Sequence, residues 1–302
     1  MMSREKPTVS VLIATYNKAD ALKYAIESVL WQTFENFELL VIGDGCTDHS
    51  EKVVAAFDDT RVHWHNLPEN TGDQSEPHNE GLRRSNGKYI AYLNHDDIWL
   101  PQHLEMLVEY IEREQADFAY SIMEWIYPDA LSYPVIPDYP DAPLPPEATQ
   151  TMHRKDIINE IGYWRRPWEC YSYPRADYFR RAQFIGKKFV LVPMLSALKF
   201  GVNPKDYSAL TIQPKYMDIV RNDPYFAEKE LGKMLANAIH ELDNPIKIKR
   251  LREQYSLQVK RKMAKRAIDP ARIRFWVRPG KRMRDWAKHF GLDSSKFDRK
   301  SS

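Results

Sequence analysis

Cysteine is nearly absent: Cys46 and Cys170 are the two in 302 residues. That rules out a disulfide framework and a zinc site built on cysteine, and makes a reducing, cytoplasmic compartment the expectation. No run approaches the roughly 18 apolar residues needed to cross a bilayer. The opening Met1-Met2-Ser3-Arg4-Glu5-Lys6-Pro7 has no apolar signal-peptide core. Glycine is sparse at 11 residues, and no Gly-x-Gly-x-x-Gly follows the first strand-like run, which argues against a dinucleotide-binding dehydrogenase. Net charge is also almost absent, at +2. That balance hides an asymmetry: residues 245–302 hold 19 Lys and Arg against 5 Asp and Glu, and the first 244 hold 25 against 37. An acidic body carries a basic tail. The acidic body argues against nucleic acid as the main partner.

What is present is strand and helix in alternation. Thr8–Ala14 is apolar on both faces, as in a parallel strand covered on both sides. Leu22, Ile26, Val29 and Leu30 then recur at helical spacing. Strands are expected at Phe37–Ile42, Arg61–His65 and Tyr89–Leu93, with a helix over Pro77–Ser85 stopped by Asn86-Gly87. Pro101 is expected to open a further helix in its first turn. This order implies a mostly parallel α/β sheet. Between Pro128 and Pro146, seven prolines in 19 residues predict a linker with no regular element. Beyond it come a short helix ending at Gly162, a helix over Asp177–Ile185, a strand at Phe189–Val192, and basic helical sequence from about Pro224. The boundaries expected are 1–125 for an α/β half, 126–222 for the second half of the same domain, and 223–302 for a basic helical C-terminal region.

Ligands of such sheets sit beyond the carboxyl ends of the strands. Three polar clusters fall there: Thr15-Tyr16-Asn17, Asp44, and Asn94-His95-Asp96-Asp97. Adjacent carboxylates suit a hard cation, Mg²⁺ or Mn²⁺, shared with substrate phosphates. Equally, Asp-Asp in a turn is a helix N-cap with a solvated neighbour. Asp44 lies between Gly43 and Gly45, either as a plain tight turn or as an acceptor for a base or ribose. Tyr16 is a core aromatic or a platform for a nucleobase.

The runs Val-Leu-Ile-Ala-Thr-Tyr-Asn ending at Asn17, Gly43-Asp44-Gly45-Cys46-Thr47-Asp48, Asn79-Glu80-Gly81-Leu82 and Gly87–Asp97 together resemble the family 2 glycosyltransferases. The resemblance covers about the first 125 residues and lies in order and spacing. It implies a GT-A fold, Rossmann-like with a mostly parallel sheet flanked by helices, here with a helical basic C-terminal extension. It implies transfer of a sugar from a nucleoside diphosphate donor, a UDP-sugar first, to an acceptor hydroxyl in surface polysaccharide or glycolipid synthesis. Tyr16 and Asp44 would hold the base and ribose, with Thr15, Asn17, Asn79 and Asp96 on the same donor side. Asp97 and Asp96 would hold Mn²⁺ or Mg²⁺. His153 and Arg154 resemble the strand lining the acceptor, and Asp177 the general base of an inverting, single displacement. Two positions depart from the family: Gly43 and Asn94 stand where acidic residues are common.

A nucleotidyltransferase would share the carboxylates but want a glycine-rich phosphate loop where this chain has Thr15-Tyr16-Asn17-Lys18. A catalytically degenerate scaffold is the non-enzyme alternative. Met283, Trp286, Ala287 and Phe290 form one apolar helical face among basic residues. That face is expected either to pack on the body or a second copy of the chain, or to lie on an anionic membrane from the cytoplasmic side.

Overall fold

Val9, Val11 and Ile13 turn to one face of a sheet and Leu12 to the other, since side chains alternate along a strand. In the computed structural model, the described residues are 6–127, 132–135, 146–201, 209–242, 288, 289 and 291. The chain divides into two compact units, Met1–Pro137 with Pro145–Glu228, and Asp138–Leu144 with Lys229–Ser302. All the strands and sites below belong to the first.

In chain order the first half runs β1 (Val9–Thr15), α1 (Ala19–Leu30), β2 (Phe37–Gly43), α2 (Ser50–Ala55), β3 (Val62–Asn66), α3 (Ser75–Arg84), β4 (Tyr89–Tyr92), β5 (Ile98–Trp99) and α4 (His103–Arg113). Then follow β6 (Phe118–Ile126), β7 (Ser132–Val135), β8 (Thr151–Arg154), α5 (Ile158–Ile161), α6 (Pro174–Phe184), β9 (Phe189–Phe200), α7 (Ala209–Asn222) and α8 (Phe226–Leu242). The sheet order is β3-β2-β1-β4-β8-β6-β9-β5, with β7 on β6. β1 is parallel to β2 and β4, Leu12 lying opposite Leu40 and Tyr92, so Thr15, Gly43 and Tyr92 leave by the same edge.

Two apolar layers sandwich this sheet. One joins Val9, Val11 and Ile13 to Leu22 and Ile26 of α1 and to Leu104, Leu107 and Ile111 of α4. The other joins Leu12, Leu40 and Ile42 to Leu82 of α3 and to Tyr178, Phe179 and Ala182 of α6. Each such fully buried side chain contributes about 1.5–3 kcal/mol. Gly81 lets α3 lie close, since a Cβ there would meet Leu12 Cδ2 at 3.0 Å.

The structure changes several expectations. The proline-rich segment does hold a regular element: β7 pairs with β6, and Pro134 is tolerated because the strand is short and lies off the main path of the sheet. α4 begins at His103, leaving Pro101 in the turn ahead. The strand expected at Phe189–Val192 continues to Phe200. α2, β6 and α7 were not anticipated. Among the described residues, no helix is long and apolar enough to cross a membrane. The amphipathic tail, apart from Lys288 and His289, lies outside the described residues.

Candidate active site

The carboxyl ends of β1, β2 and β4 open on a cavity of about 560 Å³. β1 brings Ala14, Thr15 and Tyr16, β2 brings Asp44, and the loop before α3 brings Asn70, Gly72, Asp73 and Gln74. The turn after β4 supplies Asn94, His95 and Asp96, and β9 sends in Lys199. Tyr16 lines this space while 46% exposed. Thr15 Oγ1 is buried with no hydrogen-bond partner among the described residues.

Asp44 builds the wall as well as lining it. Its carboxylate accepts from Asn70 Nδ2 at 3.0 Å and from Thr71 N and Oγ1 at 3.0 and 2.7 Å. Gly43 beside it is required by its neighbours: a Cβ would meet Asn66 Oδ1 at 2.4 Å and the Trp64 ring at 2.6 Å. Asn66 holds the next turn, accepting from Cys46 N at 2.8 Å and donating to the Cys46 carbonyl at 2.9 Å. Asn17, with φ of 50°, adopts the left-handed conformation that asparagine tolerates. Its Oδ1 accepts from Thr47 N at 2.8 Å and Asp48 N at 3.2 Å, so it ties two strand ends together and does not line the cavity.

The two adjacent aspartates separate. Asp96 lines the cavity, half-buried. Asp97 is fully buried beneath it. Its carboxylate accepts from Thr149 Oγ1 (2.5 Å), Asn94 Nδ2 (2.8 Å) and Phe200 N (3.2 Å), with Lys199 Nζ at 3.4 Å. Burial pushes its pKa up to about 6, against the opposing pull of Lys199 and with repulsion from Asp96 adding to it. Burial lowers the pKa of the Lys199 ammonium, but the fields of Asp97, Glu147 and Asp96 outweigh it and the net shift is upward. With every oxygen of Asp97 engaged by protein donors, the paired-ligand expectation becomes one carboxylate in the cavity and one holding the turn. A hard cation is commonly held by one or two carboxylates plus substrate phosphates. Among the described residues no three His, Cys, Asp or Glu side chains gather as ligands. Asp96 fits the smaller arrangement.

Other expected residues lie outside the cavity wall. Asn79 is buried and pairs reciprocally with Trp164: Nδ2 donates to its carbonyl and Oδ1 accepts its N–H, both at 2.9 Å. His153 is fully buried in an aromatic cluster. Its Nδ1 faces the Arg154 carbonyl at 2.8 Å and so carries the proton, leaving Nε2 to accept from Tyr92 Oη at 2.9 Å. Burial lowers its pKa to about 4. Arg154 sits at the far edge, because β8 runs antiparallel to β4 and pairs Arg154 with Tyr89, the first residue of β4. The acceptor-side expectation for Arg154 is therefore corrected. Asp177, in the first turn of α6, is fully buried between Arg181 Nε at 2.9 Å and Arg165 Nη1 at 3.4 Å. Arg165 is 35% exposed at its side chain.

Lys199, Asn70, Asp73 and Gln74 were not read from the sequence. The turn-forming Asn70-Thr71-Gly72 was a usable signal for that loop.

An open, mostly parallel sheet with its cavity across the carboxyl ends of β1, β2 and β4 is the architecture expected of a GT-A fold, and the likeness to solved structures bears it out. The sequence pattern of "Glycosyl transferase family 2" matches residues 10–168, 159 of the 302. The chain belongs to that family. An uncharacterized glycosyltransferase of Rickettsia bellii is 40% identical over 114 residues, 37% of this chain and 16% of the relative. The Escherichia coli UDP-Glc:alpha-D-GlcNAc-diphosphoundecaprenol beta-1,3-glucosyltransferase WfgD is 33% identical over 118 residues, 39% of this chain and 46% of WfgD. The chain thus spans less than half the length of these relatives. S. aureus TarS residues 1–349, solved in complex with UDP-GlcNAc, superposes with a TM-score of 0.56 at 17% identity, over 76% of this chain and 71% of that one.

Proposed function

We propose that the protein transfers a sugar from a nucleoside diphosphate sugar, a UDP-sugar in the first instance, to a hydroxyl of a saccharide or lipid-linked acceptor. The observation that carries this reading is the convergence of Tyr16, Asp44, Asp96 and Lys199 on one cavity at the strand ends. WfgD, by its name, takes UDP-Glc and a diphosphoundecaprenol-linked acceptor, which supports the same classes of donor and acceptor here.

Tyr16 offers a ring face to the base, and Thr15 Oγ1 a free hydroxyl. Asp44 holds the Asn70–Thr71 wall against the nucleoside. Lys199 brings a fixed positive charge to the diphosphate. Asp96 would hold a divalent cation, which when bound offsets charge on the departing diphosphate. Asp177 takes the acceptor proton as the acceptor oxygen bonds to the anomeric carbon and the carbon–oxygen bond to the diphosphate breaks, inverting that centre.

Thermal-shift screening of nucleoside diphosphates with and without Mn²⁺ tests donor binding. A hundredfold excess over Kd stabilises by about 2.7 kcal/mol. Binding without metal-dependent donor hydrolysis or transfer would instead favour a catalytically silent scaffold.

A further inference from the structure

A second cavity, of about 500 Å³, opens at the opposite edge of the sheet from the candidate active site. Five cations line it, Lys6, Arg83, Lys88, Arg154 and Lys155, against one carboxylate, that of Asp156. Two of the five are neutralised nearby: Arg83 pairs with Glu76 and Glu80, and Lys88 with Glu112. Among the described residues, Lys6, Arg154 and Lys155 make no ion pair. The hydrogen bonds of Arg154 and Lys155 go to neutral carbonyls, Arg154 Nε to Ala116 at 3.0 Å and Lys155 Nζ to Ser85. Glu38, whose field reaches Lys155, is engaged by Ser10 Oγ at 2.5 Å and by Asn86 N at 2.5 Å and Nδ2 at 3.1 Å.

We propose that this cavity is an anion site for a phosphate-bearing ligand, held by Lys6, Arg154 and Lys155 and separate from the nucleotide cavity. Three cations that form no ion pair around one concavity repel one another, the fields of Glu112 and Glu38 reaching Arg154 and Lys155 from outside the lining. Burial and the charge of Lys6 together lower the pKa of Lys155. Asp156 is the one carboxylate in the lining; Glu112 is already shared with Lys88 and Tyr89, and Glu38 with Ser10 and Asn86. A phosphate carries about 1.5–2 negative charges and three strong acceptors, and guanidinium suits it through paired N–H donors. The cavity volume admits a phosphate together with the group that bears it. That group is either a soluble phosphate ester or the headgroup of an anionic lipid.

The test uses the full chain, with the basic tail common to every variant. Tripolyphosphate is titrated calorimetrically at low salt into the wild type and into the K6Q/R154Q/K155Q variant, whose fold is checked by thermal unfolding. A second variant, R154K/K155R, keeps the charge. Loss of affinity by tenfold or more in the neutral variant, with affinity kept in R154K/K155R and in a K199M variant altered at the other cavity, supports the proposal. Flotation with vesicles of phosphatidylcholine containing 30% phosphatidylglycerol then separates the sources. Vesicle binding that falls with the same three changes assigns a lipid headgroup, and tripolyphosphate binding alone assigns a soluble phosphate. Tripolyphosphate affinity unchanged in K6Q/R154Q/K155Q, or lost equally in R154K/K155R, would overturn the proposal. So would no binding to the wild type at low salt.

Discussion

Lys199 Nζ lies 3.4 Å from Asp97 Oδ2, across 102 residues of sequence, and joins the end of β9 to the turn after β4. The pair puts a lysine in the wall of the nucleotide cavity with a buried carboxylate behind it. Replacing Lys199 by Met should cut transfer about a hundredfold through loss of charge at the diphosphate. The fold should suffer less than the several kcal/mol usual for a broken buried pair, since Asp97 already favours its proton up to about pH 6. Unfolding curves at pH 5 and pH 8 check this: the variant should lose less stability at pH 5.

Asp96 and Asp97 should fail in different ways. Asp96→Asn should abolish transfer and leave thermal stability within about 0.5 kcal/mol of the wild type, as for other substitutions away from the core. Asp97→Ala should cost roughly 2–4 kcal/mol, because it strands Asn94, Thr149 and Phe200 N as well as Lys199. Parallel unfolding and donor-binding measurements on both variants distinguish them.

Asp177→Asn should stop transfer while donor affinity stays near the wild-type value. It also breaks two contacts to arginine in a fully buried setting, so a fall of about 3 kcal/mol in stability is expected. Donor affinity that collapses in a folded variant would assign Asp177 to architecture.

Acid should unfold the protein early. Burial lowers the pKa values of His78 and His103 to about 3 and of His153 to about 4. The unfolded chain takes up these protons below about pH 6.5, and the folded chain refuses them until pH 4 or below. Asp97 works the other way, holding a proton when folded from about pH 6 downward. Two protons net favour the unfolded state, so stability should fall by roughly 3 kcal/mol per pH unit between pH 6 and 4. Denaturant midpoints across that range read the slope, and His103→Gln should flatten it by about half.

The parallel half of the fold was legible because its strands are short apolar runs that end in polar clusters, and each cluster marked a cavity wall or its support. β6 was hidden: Phe118–Ile126 carries Ser121 and Glu124, both buried, in a run that breaks the strand pattern. The side of the sheet reached by Arg154 depended on strand direction. A parallel β8 would have delivered it to the nucleotide cavity, and the antiparallel one carries it away. Asp96 and Asp97 look equivalent in sequence because only the path of the turn decides which of two neighbours faces solvent. Lys199 was invisible for a simpler reason: its partner is far along the chain.

The crowding around Gly43 bears on how this chain could change. An aspartate at that position, expected from the family resemblance, does not fit by one substitution alone, because its Cβ would overlap Asn66 and the Trp64 ring. Any path to it must both shrink residue 64 and release Asn66, and the second step cuts the two bonds that hold Cys46 in place. Positions 43, 64 and 66 are therefore expected to vary together, with glycine admitting the large ring and the asparagine. A library randomised at all three should return glycine whenever tryptophan is kept.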